Sequence, residues 1–140
     1  MKLLVINGPN MNMLGIREPE IYGSRSYEEL KKHIITCCEK NGMDCTVVQS
    51  NSEGEIVDII QEAYGRADGI IINAAAYTHT SIAIPDAIKA VNIKCVEVHL
   101  TDTGKREEYR KTDYLADACE ACFMGRGFDS YTDAVEYFLK

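Results

Sequence analysis

Lys2-Leu3-Leu4-Val5-Ile6-Asn7 is a short run of branched apolar residues with no polar alternation, the pattern of a strand buried on both faces in a parallel sheet. The segment after it supports that reading. Ser26-Tyr27-Glu28-Glu29 is a capping box, and Leu30, Ile34, Ile35 and Cys38 then recur at helical spacing until Asn41-Gly42 stops the helix. The same alternation continues: Cys45–Gln49 reads as a strand, and the capping box Ser52–Glu55 opens a helix with Ile56, Ile59, Ile60 and Ala63 on its apolar side.

Gly69-Ile70-Ile71-Ile72-Asn73 is a third buried strand, followed by the polar turn Tyr77-Thr78-His79-Thr80 and a helix over Ser81–Val91. Pro85 falls in the first turn or so of that helix, where its missing amide hydrogen does least harm. Lys94–Leu100 reads as a fourth strand, Thr101–Arg110 as a charged loop, Ala118–Met124 as a weaker fifth strand and Tyr131–Leu139 as a terminal helix. Strands alternating with helices specify a parallel sheet with right-handed crossovers and helices on both faces. The fold class is therefore α/β, a flavodoxin-like, doubly wound, five-stranded parallel sheet in three layers, and 140 residues make one domain over 1–140.

Composition narrows the partners. A formal charge of −7 argues against binding nucleic acid, which needs clustered Lys and Arg to displace counterions. No stretch approaches the roughly 20 apolar residues of a membrane span, so no membrane is expected and the expected location is cytoplasmic. The six cysteines read as reduced and structural, because Cys37-Cys38 lie in a helical pattern and Cys45 and Cys95 in strand patterns. Cys119-x-x-Cys122 has neither a second cysteine pair at zinc spacing nor a thioredoxin-like context, so packing is its expected role.

In open α/β sheets a ligand lies beyond the carboxyl ends of the strands, which singles out residues 7–26, 50–52, 73–81 and 100–110. The first of these loops places Arg17 and Tyr22 between Gly15 and Gly23, so a cation could lower a phenol's pKa inside a segment able to close like a lid. The others contribute Asn73, His79 and Ser81 after strand three, and Glu97, His99, Thr101 and Arg110 from strand four onward. Three isolated histidines without a metal-motif spacing give no reason to expect a metal, and neither phosphate-loop glycine pattern is present, so no cofactor is expected. Taken singly these residues have ordinary readings: Tyr22 a surface aromatic, Arg17 and Arg110 solvated charges, His99 a core histidine, Glu97 a partner for a helix lysine, Asn10 and Asn73 turn braces, His79 a cap and Asp86 a first-turn carboxylate.

Their order and spacing say more. The loop N-G-P-N-x-N-x-L-G-x-R-E-P-x-x-Y-G over residues 7–23 resembles the signature of type II 3-dehydroquinate dehydratases. The resemblance extends in order through Gln49-Ser50-Asn51, Ile72-Asn73-Ala74 with Tyr77–Ser81, Glu97–Leu100 and Arg106–Arg110. It implies a hydro-lyase of the shikimate pathway that dehydrates 3-dehydroquinate to 3-dehydroshikimate by anti elimination through an enolate. It further implies Tyr22 as base, Arg17 as its activator, Asn10 as holder of a water against the enolate oxygen and His99 as acid, with Glu97 orienting His99. Asn73, His79, Arg110 and the Leu100-Thr101 backbone match its substrate-binding positions, Asp86 matches a residue reaching in from a neighbouring subunit, and the assembly implied is a homododecamer of four trimers.

The chain departs from the family's usual residues at Ser52, Ala75, Pro85, Asp102 and Gly104, which bears on subunit contacts near Pro85 and on hydrogen bonding behind the substrate near Asp102 and Gly104. Two other readings stay in view: a flavin- or anion-binding module of the same fold, and a non-catalytic oligomeric relative.

Overall fold

The computed structural model describes all of residues 1–140. Five strands, β1 (Lys2–Asn7), β2 (Asp44–Gln49), β3 (Gly69–Asn73), β4 (Lys94–His99) and β5 (Ala121–Met124), form one all-parallel sheet in the order β2-β1-β3-β4-β5. The helices are a single turn α1 (Pro19–Tyr22), then α2 (Tyr27–Lys40), α3 (Glu53–Glu62), α4 (Ala83–Val91) and α5 (Asp129–Tyr137). Both capping boxes act as their sequences require: Ser26 Oγ accepts from the Glu29 amide and Ser52 Oγ from the Glu55 amide, each at 3.2 Å.

The sheet divides the core in two. On one face α2 and α5 bury Leu30, Ile34 and Tyr131 against Val5, Ile71, Val96 and Val98; on the other α3 and α4 bury Ile56, Ile60, Ile84 and Ile88 against Ile6, Ile70 and Ile72. Consecutive residues of β3 thus point to opposite cores, which is why Gly69–Asn73 carries no polar alternation. No helix is long and apolar enough to cross a membrane.

Three elements depart from the expected boundaries by two residues or more. The fifth strand starts at Ala121 rather than Ala118, because Leu115 is pulled into the core and residues 116–118 form a 3₁₀ turn before Glu120 N pairs with Cys95 O at 2.9 Å. Helix α4 starts at Ala83 rather than Ser81, whose side chain instead accepts from the Ile84 amide at 3.1 Å. The last helix begins two residues early, at Asp129, so that Ser130 and Tyr131 are both inside it and fully buried.

Register sets the carboxyl edge of the sheet. Asn7 lies between Gln49 and Asn73, and Ile72 pairs with Glu97, so the last residues of β1, β3 and β4 open onto one end. Gly8 follows directly, its amide donating to Asn73 O at 2.8 Å. A Cβ there would stand 2.5 Å from the Ala74 carbonyl oxygen, so only glycine lets the two loops cross so closely.

Candidate active site

A pocket at this edge encloses about 630 Å³ of space, its open mouth included, and collects residues from three of the four expected loops. Asn10, Arg17, Tyr22, Asn73, His79, His99, Leu100, Thr101 and Arg110 all line it. Glu97 lies behind the wall, and Asp86 sits exposed on α4 away from the pocket. Among the other lining side chains is one charged residue that was given no role from the sequence: Arg106.

The lid is folded back on itself at Gly15, whose φ of +86° and 3.0 Å gap between a built Cβ and Ser24 O both require glycine. The course of this loop brings Tyr22, at the end of α1, to the pocket. The Tyr22 hydroxyl accepts from Arg106 Nη1 at 2.6 Å, while the Arg17 and Arg106 guanidinium carbons each lie 5.0 Å from the phenol ring centroid. The sequence expectation paired Tyr22 with Arg17 alone; the structure puts two guanidiniums on it, and the hydrogen bond belongs to Arg106. With Arg110 the pocket carries three guanidiniums and no lining carboxylate, inside a chain of net charge −7. Glu107, outside the lining, pairs with Arg110 Nε at 2.8 Å and Arg106 Nε at 3.7 Å, and the remaining excess of positive charge suits an anionic ligand.

On the opposite wall His99, 5 % exposed, bonds through Nε2 to Glu97 Oε2 at 2.5 Å, which leaves Nδ1 as the ring nitrogen toward the cavity. Burial lowers the His99 pKa below its ordinary value, with Asp113 opposing that shift, and burial raises that of Glu97. His79 Nδ1 pairs with Thr112 O at 2.6 Å; because a carbonyl only accepts, Nδ1 carries the proton and neutral His79 presents an acceptor Nε2. Burial likewise lowers its pKa. Neither the Leu100 nor the Thr101 amide donates to a protein acceptor, so both are free to hold an anionic group at the end of β4.

Asn73 is more occupied than a simple ligand-binding amide. Its Nδ2 donates to Tyr131 Oη at 3.0 Å and its Oδ1 accepts from the Ala75 amide at 3.1 Å, while Tyr131 Oη donates to Asn7 Oδ1 at 2.5 Å. This buried chain ties the ends of β1 and β3 to α5. Asn10 sits at the rim with φ of 69°, its amide donating to Asn51 Oδ1 at 3.0 Å. Asn51 Oδ1 also accepts from Gln49 Nε2 at 3.0 Å, and Asn51 O from Tyr77 Oη at 2.7 Å, so the loop at 50–52 braces the site rather than lining it.

Cys119 and Cys122 part company. Cys119 Sγ lies 3.6 Å from Cys95 Sγ, as packing predicts, but Cys122 faces Glu97, His99 and Asp113, with one polar atom of each of the four within 4.8 Å of the rest. Three separate segments supply these groups, so no sequence spacing could reveal them. The 2.5 Å between His99 Nε2 and Glu97 Oε2 is shorter than the roughly 3.3 Å between two N/O ligands of a tetrahedral zinc, so the pair is arranged as a hydrogen bond.

Comparison with known proteins identifies the family. The family profile described as Dehydroquinase class II matches residues 1–139. The 3-dehydroquinate dehydratase of Clostridium acetobutylicum is 55 % identical over 131 residues, covering 94 % of this chain and 91 % of the relative. A crystal structure of type II dehydroquinase from Butyrivibrio crossotus superposes with a TM-score of 0.98 at 45 % identity, covering 100 % of this chain and 98 % of the other. That from Propionibacterium acnes gives 0.94 at 34 % identity, with 98 % and 94 % covered. With the fold and nearly the whole length matched, the chain belongs to the type II dehydroquinase family.

Proposed function

We propose that this protein is a 3-dehydroquinate dehydratase, a hydro-lyase of the shikimate pathway that works without a cofactor and removes water through an enolate by anti elimination. The observation that carries the proposal is the pairing of Tyr22, gripped by Arg106 and flanked by Arg17, with the Glu97–His99 pair in one pocket lined by three guanidiniums.

Tyr22 as phenolate takes the proton α to the ketone. Arg106 Nη1 donates to its oxygen at 2.6 Å and holds it over the pocket. As the carbonyl oxygen becomes an enolate oxygen, a water held by Asn10 donates to it, an interaction that gains strength only as charge develops. The enolate then expels the hydroxyl: the C–O electron pair leaves with oxygen, and His99 Nδ1 supplies the proton that makes it water. Glu97 keeps His99 oriented and accepts its Nε2 side.

The free Leu100 and Thr101 amides hold the substrate carboxylate, while Asn73, His79 Nε2 and Arg110 read its hydroxyls. Asp86, exposed on α4, serves a neighbouring copy's pocket in a dodecamer of four trimers. The deciding experiment adds 3-dehydroquinate to metal-free protein and follows the enone absorbance of the product. Rapid appearance of that band is expected, and no turnover between about pH 6 and 9 rejects the proposal. Light scattering tests the assembly, where a stable monomer removes the role given to Asp86.

A further inference from the structure

Glu97 is completely buried and serves His99 with only one of its oxygens. Its other oxygen, Oε1, has no hydrogen-bond donor, one of only two buried side-chain polar atoms so placed. Asp113 occupies the space beside it. This residue follows the 3₁₀ turn Glu108–Lys111 and is anchored through Oδ1, which accepts from the Leu115 amide at 2.8 Å. Two carboxylates in one buried site cannot both remain charged, whereas a proton on one of them supplies the donor that Glu97 Oε1 lacks.

We propose that Asp113 is a positioning residue for His99: in its protonated form it donates to Glu97 Oε1 and stabilises the carboxylate formed there as His99 delivers its proton. The proposal rests on the hydro-lyase reading for the step it serves. Before the step one proton lies between Asp113 and Glu97, one between Glu97 and His99 Nε2, and one on His99 Nδ1. The Nδ1 proton leaves with the departing hydroxyl as water, the second proton passes fully to Nε2, and Glu97 becomes a carboxylate held by two donors. The three side chains lose one proton together and gain one negative charge, while the substrate loses that of its enolate.

The surroundings favour this arrangement. Burial, followed by the Glu97 carboxyl, pushes the Asp113 pKa up to about 7, so its proton is held below neutrality and half released near it. Other groups facing the trio are Cys122 on β5, Cys119 ahead of it, and His79 with Arg110 on the pocket side. The Cys122 thiol is pushed up to about 12 and that of Cys119 higher still, chiefly by burial and by its Cys95 contact respectively, so both stay protonated near neutrality. The other titratable groups facing the trio's pocket are His79 and the pair itself, Glu97 and His99.

The test follows the His99 imidazole by nitrogen-15 NMR across pH, with His33 and His79 assigned from their own variants. In the wild-type protein the His99 signal should show, besides its own titration, an inflection near neutral pH as Asp113 ionises. Asp113→Asn keeps a donor that cannot titrate, so that inflection should vanish, kcat should be retained, and its alkaline fall should move up by about one pH unit. Asp113→Ala removes the donor and should cut kcat about 10- to 100-fold with KM changed less than about twofold. Persistence of the inflection in Asp113→Asn, or undiminished kcat in folded Asp113→Ala, overturns the proposal. The NMR arm uses no substrate, so the linkage is established or lost even if 3-dehydroquinate proves not to be turned over.

Discussion

Replacing Arg106 by alanine should damage turnover more than its place in a charged surface loop suggests. Its Nη1 donates to the Tyr22 hydroxyl at 2.6 Å, and its side chain is only 12 % exposed, so water screens the contact poorly. A hydrogen bond to a charged partner of this kind contributes about 1.5 to 3 kcal/mol. If the charge on Tyr22 oxygen is what the bond favours, kcat should fall about 10- to 150-fold at 1.36 kcal/mol per decade. Steady-state dehydration of 3-dehydroquinate measures the loss, with circular dichroism to show that the variant remains folded. Arg106→Lys should recover part of it, since an ammonium restores charge without the planar fork. Arg17 acts on the same phenol from 5.0 Å, so the double variant should lose less than the product of the two single losses. An Arg106→Ala enzyme within twofold of wild type would falsify the pairing as a functional contact.

Other perturbations reach different parts of the argument. Tyr131→Phe deprives buried Asn7 Oδ1 of a donor and Asn73 Nδ2 of an acceptor, and should cost about 2 to 4 kcal/mol in urea unfolding; a loss below about 0.5 kcal/mol would mean that the network is not under tension of desolvation. His99→Ala should slow loss of the hydroxyl more than α-proton exchange with solvent, and joint disappearance of both reactions would refute the division of labour between Tyr22 and His99. Stability should also fall with pH. The Asp113 pKa of about 7 stands above the ordinary value of 3.8, so the folded state holds a proton that the unfolded chain has already released. The stabilisation is complete below about pH 4 and is lost as pH rises to about 7; Asp113→Asn should flatten this slope in urea midpoints, and an unchanged slope would contradict it.

Much of the architecture was legible because it depends on local pattern. Apolar runs without alternation identified strands with cores on both faces, and Ser26 and Ser52 marked helix starts that each side chain then caps. Boundaries failed where a long-range contact outweighed local preference, as when burial of Leu115 shortened β5. The loop 7–23 announced its chemistry because glycine at 8 and 15, together with Arg17 and Tyr22, is needed along one continuous segment. Arg106 was hidden among neighbouring charges, since nothing in Lys105–Lys111 distinguishes the cation that turns toward Tyr22 from Arg110, which bonds Glu107, or from the lysines beside them.

The amino-acid sequence by itself determined the alternating elements, the parallel sheet and the residues offered at the carboxyl ends of its strands, because backbone propensity and burial pattern act over a few residues. Only the tertiary structure decided which of them meet: Arg106 with Tyr22 across 84 positions, Tyr131 with Asn7 across 124, and Asp113 and Cys122 beside Glu97. Such contacts depend on sheet order and register, through which a side chain gains a neighbour that no local spacing encodes. Charge placement follows the same rule. A chain of net charge −7 holds three guanidiniums around one pocket because folding brings residues 17, 106 and 110 to the same edge.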